Sequence, residues 1–139
     1  MTWLTALITF SGGALGALLR VAVMTLWARL AAGRAERYAW VGLLCVNCSG
    51  CVALGAIEVA IQRQGGLLGL SPDFARWLLT VGLLGGYTSY SAISVFGDRL
   101  WRSGRRWEAV GQVAISLALG VPAIHLGVLL GQSLVGGGP

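Results

Sequence analysis

Thr80-Val-Gly-Leu-Leu-Gly-Gly-Tyr-Thr-Ser-Tyr-Ser-Ala-Ile-Ser94 begins as an apolar segment fit to cross a membrane and then changes character. Gly82, Gly85 and Gly86 weaken a helix in the middle of a span. Thr88, Ser89, Ser91 and Ser94 follow, with Tyr87 and Tyr90 among them. Lipid contact does not account for a run of hydroxyls beside a Gly pair at bilayer depth. Backbone released from helical bonding is tolerated there only where it faces protein, ions or a water-filled path. The stretch predicts a broken helix and marks the first candidate site.

The surrounding chain supports that setting. It has 139 residues, 56% hydrophobic and 11% charged, with a mean hydropathy of +0.77. Soluble domains carry about 25% charged residues, so composition reads as an integral membrane protein with little room for anything else. The basic balance comes from ten arginines and no lysine. A pI near 9.9 is compatible with nucleic acid, but no soluble surface is left to bind it. The amino end has neither a basic leader region nor a small-residue cleavage site, so the first apolar run is expected to stay as a span.

Four spans are expected, at roughly 3–27, 38–61, 74–96 and 109–132, forming one membrane domain over residues 1–139. The first carries Gly12, Gly13 and Gly16 with Ala14 and Ala17, spacing that lets another helix approach closely. Arg20, toward its end, either snorkels to the headgroups or stands at the mouth of an anion pathway. The second contains Asn47, which is either interhelical glue or a pore ligand, and ends near Glu58, expected at the interface. Cys45, Cys48 and Cys51 form an i, i+3, i+6 stripe that lacks a fourth ligand and reads as packing rather than a metal site. Ser71-Pro-Asp signals a helix start. The fourth span holds Gln112, Ser116, Gly120, Pro122, where a kink is expected, and a lone, structural His125. Residues 136–139 read as a frayed tail.

Charge sets a topology. The first and third loops lie on one side and carry Arg29, Arg34, Arg37, Arg99, Arg102, Arg105 and Arg106, against Arg63 and Arg76 opposite. The positive-inside rule then puts both termini outside.

Taken together, these segments resemble the Fluc (CrcB) family of fluoride channels. Gly12-Gly-Ala-Leu-Gly-Ala-Leu-Leu-Arg20 is similar to that family's first-span signature, and Gly42-Leu-Leu-Cys-Val-Asn47-Cys-Ser-Gly50 to its second-span pattern. The stretch from Gly82 to Ser94 is similar to its third-span Gly-x-x-Gly-Gly-x-Thr-Thr-Phe-Ser-Thr-Phe. The resemblance implies an all-α fold of four transmembrane helices, the third broken at the Gly-rich site, assembled as an antiparallel dimer. It implies a structural Na+ at the dimer interface, held by the backbone carbonyls of Gly85 and Thr88. It implies a fluoride path through Asn47, Tyr90, Ser91, Ile93, Ser94 and Ser116, with Arg20 beside an aqueous vestibule. Tyr90 and Ile93 stand where the family has two phenylalanines, and Gln112 where it has a tyrosine. An aromatic ring can face an anion with its positive edge; Tyr90 retains a ring and Ile93 has none.

The function implied is passive export of fluoride through a multi-pass channel in a bacterial inner (plasma) membrane, which lowers cytoplasmic fluoride. Hydroxyl and amide donors can replace the waters of a small, strongly hydrated anion. No arrangement of nucleophile and base points to an enzyme. Arginines at seven against two are unbalanced for a dual-topology homodimer. A heterodimer with an oppositely inserted second family member is the other assembly, and a degenerate or accessory subunit the alternative function. A small multidrug-type transporter is also four-span and antiparallel, but needs an acid in the first span, where this chain has Arg20.

Overall fold

Each of the four apolar runs becomes a long helix. The computed structural model describes residues 2–31 and 39–136. Arg34, Arg37, the first residue of the expected second span, Tyr38, and positions 137–139 of the expected tail lie outside them. Helix α1 is Trp3–Leu30 and α2 is Ala39–Gln64. The third apolar segment, Pro72–Arg102, comprises α3 (Pro72–Ala75), a π-helix (Arg76–Leu84), α4 (Gly85–Tyr87) and α5 (Tyr90–Arg102). Helix α6 is Arg106–Val135. All four segments are long and apolar enough to cross a membrane.

The helices begin and end for local reasons, and so overrun the apolar windows. Thr2 caps α1 through a reciprocal pair with Thr5: the Thr5 N–H meets Thr2 Oγ1 at 3.5 Å and the Thr2 N–H meets Thr5 Oγ1 at 3.0 Å. Arg29, Arg63, Arg99 and Arg102 lie in the last turns of α1, α2 and α5, where cations suit the helix dipole. Ser71 takes the N-cap position with Pro72 first in the helix, but its hydroxyl caps nothing. Helix α5 closes on Gly104 at φ 80°: the Arg105 N–H reaches the Leu100 carbonyl and the Gly104 N–H the Trp101 carbonyl. This six-to-one and five-to-two pairing needs a left-handed residue at Gly104. Helix α6 runs on through Pro122, and the His125 ring nitrogen Nδ1 sits 3.0 Å from its own helix's Val121 carbonyl.

Two helix pairs make up the molecule. Helix α1 packs on the third segment, and α2 on α6. Both seams rest on small residues that let backbones touch. A Cβ at Gly82 would lie 2.9 Å from the Thr9 carbonyl oxygen, and one at Gly131 would lie 2.9 Å from that of Ala56. Gly86 faces the Gly13 carbonyl of α1 so closely that no Cβ fits. Large apolar residues on the outer faces of α1 and α6, such as Phe10, Leu18, Val121 and Leu129, stay exposed, as lipid contact requires.

Glu58 is not simply a headgroup contact. Its Oε2 accepts from Arg76 Nε at 3.3 Å and its Oε1 from the Thr80 hydroxyl at 3.0 Å. The carboxylate thus ties α2 to the π-helix, with only 28% of its side chain exposed.

Candidate functional site

The site is built where helical bonding stops. Thr88 (φ −77°, ψ 153°) and Ser89 (φ −150°, ψ 106°) are extended between α4 and α5. The Ser89 N–H, which an unbroken helix would send to the Gly85 carbonyl, instead donates to Asn47 Oδ1 at 3.1 Å. The Ala92 N–H, helical partner of the Thr88 carbonyl, donates to Ser89 Oγ at 3.2 Å, so Ser89 is the N-cap of α5. The Thr88 N–H and hydroxyl both donate to the Leu84 carbonyl, each at 2.9 Å. The interruption therefore leaves the Gly85 and Thr88 carbonyls without those helical partners and anchors the backbone to α2 through one amide.

Asn47, Gly85, Thr88, Ser89, Tyr90 and Ile93 share one cavity of about 310 Å³. Gly85 has no atom within 4 Å of where a Cβ would stand, so its side of the chain is open. Tyr90 is 69% exposed and turns its ring away from the chain, whereas Ile93 is 6% exposed. Ser91 sits beside Ser89, with hydroxyl oxygens 3.1 Å apart. Ser91, Ser94, Ser116 and Arg20 do not line this cavity. Ser94 borders a separate apolar space between α5 and α6. Arg20 is half-buried and makes no ion pair among the described residues.

Donor arithmetic sorts the hydroxyls. A hydroxyl has one hydrogen to give. Thr88, Ser94 and Ser116 give theirs to backbone carbonyls four residues back, at 2.9, 3.4 and 2.8 Å. Of the Ser89–Ser91 pair, one hydroxyl donates to the other, leaving one O–H available. The Asn47 amide nitrogen and the Tyr90 hydroxyl are further donors at the same end. The arrangement can thus present several modest N–H and O–H donors to a small anion, and carbonyl oxygens to a hard cation.

Two partnerships escaped the sequence reading. Tyr87, 8% exposed, meets Ser49 Oγ at 2.9 Å, and Ser49 donates to the Val46 carbonyl, so the tyrosine hydroxyl is the donor between them. Gln112, 2% exposed, donates from Nε2 to the Ile93 carbonyl at 2.6 Å, while its Oε1 is buried without a partner among the described residues. The sequence signal for both was polarity inside an apolar run, which locates a polar contact without naming its partner.

Residues 7–128 match the family described as "CrcB-like protein, Camphor Resistance (CrcB)". The chain belongs to the CrcB-like family. Relatives of this CrcB-like chain include the "Fluoride-specific ion channel FluC" of Paracoccus denitrificans (strain Pd 1222), 36% identical over 123 residues, covering 88% of this chain and 90% of the relative. The protein of the same name from Chelativorans sp. (strain BNC1) is 36% identical over 126 residues, covering 89% and 93%. That from Rhizobium meliloti (strain 1021) is 34% identical over 129 residues, covering 93% and 97%. The similarity spans all four apolar helices of the CrcB-like chain.

Proposed function

We propose that this chain forms a fluoride-selective channel that lets fluoride leave the cytoplasm passively through the plasma membrane. The protein is a multi-pass membrane channel of the CrcB-like family and not an enzyme. Residues 1–139 act as a single four-span domain. The observation that carries the reading is the cavity where Asn47, Ser89 and Tyr90 meet at the interruption after Tyr87. Fluoride exchanges hydration for donors from Asn47, Tyr90, Ser91 and neighbouring hydroxyls along a path that continues past Ile93, Ser94 and Ser116. Thr88, Ser94 and Ser116 contribute only by swinging their hydrogens from the helix carbonyls to the ion. Arg20 supplies positive potential at the vestibule.

The interruption serves as the break of the third span, and the exposed Gly85 and Tyr90 face a second, antiparallel subunit. Four helices alone leave Gly85 uncovered, and backbone released at bilayer depth needs protein or an ion against it. The Gly85 and Thr88 carbonyls suit a Na+ at that interface, because hard cations take carbonyl oxygens and the helical partners of both are engaged elsewhere. When bound, the cation supplies charge that offsets the entry of an anion to bilayer depth.

Three observations favour a second reading. Ile93 offers no ring, Gln112 clamps its carbonyl, and the arginines are biased seven to two. These fit one half of a heterodimer whose partner inserts oppositely and completes the pore. The test is growth in fluoride of a bacterium stripped of its own fluoride export. Rescue by this chain alone supports the homodimer, and rescue only with a second family member supports the heterodimer. Failure of an inserted chain in both settings removes the channel reading. Replacing Na+ by K+ in the same system lowers transport if the interfacial cation is Na+.

A further inference from the structure

We propose that Glu58 and Arg76, acting through Thr80, control the passage of anions at one end of the cavity beside the interruption. That cavity of about 310 Å³ has two unlike ends. Asn47, Gly50, Cys51 and Leu54 line it from α2, at i, i+3, i+4 and i+7. Glu58 follows at i+11 on the same face, one turn past the lining. Asn47 is bonded to the Ser89 backbone and Glu58 to the Thr80 hydroxyl, so the two bonds mark the two ends. Thr80 stands in the π-helix, at the end toward the loop 65–71.

Thr80 belongs to both the cavity and the ion pair. It lines the cavity, and its hydroxyl donates to Glu58 Oε1 at 3.0 Å. A carboxylate only accepts, so the direction of that bond is fixed, and Thr80 Oγ1 keeps lone pairs alone for any other contact. The opposite end is rich in donors, from the Asn47 amide, the Tyr90 hydroxyl and the Ser89–Ser91 pair. An anion therefore meets donors at the Asn47 end, and at the Thr80 end an acceptor backed by a negative charge. Arg76 Nε, 3.3 Å from Glu58 Oε2, offsets that charge. The two side chains are 41% and 28% exposed, so water screens their field only in part. Arg63, the other arginine of this end, donates to the Gln132 carbonyl at 3.2 Å and is engaged there. Glu58 thus restrains anions at this end, and Arg76 sets how firmly. As a statement about fluoride the inference rests on the function proposed above; the charge pattern in the cavity does not.

Fluoride efflux from liposomes holding the full chain tests it, with unfolding in mixed micelles measured alongside. Glu58→Gln keeps the shape and an acceptor for Thr80 but removes the charge. It is expected to speed efflux about tenfold, between the values for one charge acting at ~8 Å in water and near a protein surface. Arg76→Gln leaves the carboxylate without its offset and is expected to slow efflux by a similar factor, while Arg76→Lys stays near the parent. Both glutamine variants break the same ion pair, so a merely structural role moves them in one direction and a charge effect moves them in opposite ones. Asp73→Asn removes an exposed carboxylate of the same end and is expected to leave efflux unchanged. Thiol labelling at Cys51, which lines the cavity, reads the same field without transport, in a chain carrying Cys45→Ala and Cys48→Ala. There Glu58→Gln is expected to favour an anionic over a cationic methanethiosulfonate, and Arg76→Gln the reverse. Labelling that shifts in this way in a chain that moves no fluoride upholds the charge pattern and removes the fluoride reading. In a conducting chain, Glu58→Gln efflux at or below the parent's overturns the proposal, and that sign decides even if Arg76→Gln fails to fold. Labelling preferences that the two variants leave unchanged or move together overturn it as well.

Discussion

Asn47 separates a structural role from a conducting one, because the two respond oppositely to the same substitution. Its Oδ1 accepts the Ser89 N–H at 3.1 Å, and its side chain lines the cavity at the interruption. Asn47→Asp keeps an acceptor of the same shape and adds a negative charge where an anion is to pass. Such a charge near the start of α5 favours that helix by about 0.3–1 kcal/mol. At ~4 Å and an effective dielectric of ~20, the repulsion of a passing fluoride is ~4 kcal/mol, a slowing of roughly a thousandfold. Asn47→Ala removes the acceptor and leaves the Ser89 N–H unpaired, which costs about 1–3 kcal/mol. Equilibrium unfolding in mixed micelles and fluoride efflux from liposomes read the two quantities separately. Asn47→Asp is expected to fold like the parent and nearly abolish efflux, and Asn47→Ala to lose stability. If Asn47→Asp conducts within about twofold of the parent, Asn47 only anchors the Ser89 backbone and the anion path lies elsewhere.

Other positions give further expectations. Tyr90→Phe keeps the exposed ring and is expected to conduct measurably, while Tyr90→Ala slows efflux at least tenfold without lowering the unfolding midpoint of the chain, since little is buried at that ring. Gly86→Ala drives a methyl into the Gly13 carbonyl and is expected to destabilise the α1 seam by about 1–3 kcal/mol, read by the same unfolding assay. Gly85→Ala meets no neighbouring element among the described residues, so it is expected to leave the subunit fold intact and weaken dimerisation, read by subunit crosslinking in liposomes. Gln112→Leu removes the bond to the Ile93 carbonyl together with the orphaned Oε1, so stability is expected to change by less than about 1 kcal/mol. Gln112→Ala instead opens a cavity and is expected to cost ~2 kcal/mol or more, read by unfolding.

The four membrane-grade helices were legible because composition alone decides them: apolar runs of about 20 residues separated by arginines have few other readings. Their ends were less legible, because caps such as Thr2 and Gly104 stop a helix beyond the apolar window. Gly85 and Gly86 drew attention as weak points, yet the backbone departs from helical geometry at Thr88 and Ser89. The reason is that Gly86 serves the contact with Gly13, and helical hydrogen bonding persists through it. The π-helix over Arg76–Leu84 carries no residue-type signal, and the hold of Glu58 on it joins residues too far apart in sequence to pair by pattern. The hydroxyl run was visible, but its division into back-bonded and available donors depends on rotamers. Likewise Tyr87 and Tyr90 look alike in sequence, and the two extended residues between them send one ring inward to Ser49 and the other outward.

The most direct test of the central claim is fluoride efflux from liposomes reconstituted with this chain alone, with chloride as the control anion. The account predicts fast efflux of fluoride, with chloride excluded. A folded chain, inserted in both orientations, that releases fluoride no faster than chloride or empty liposomes do would contradict it.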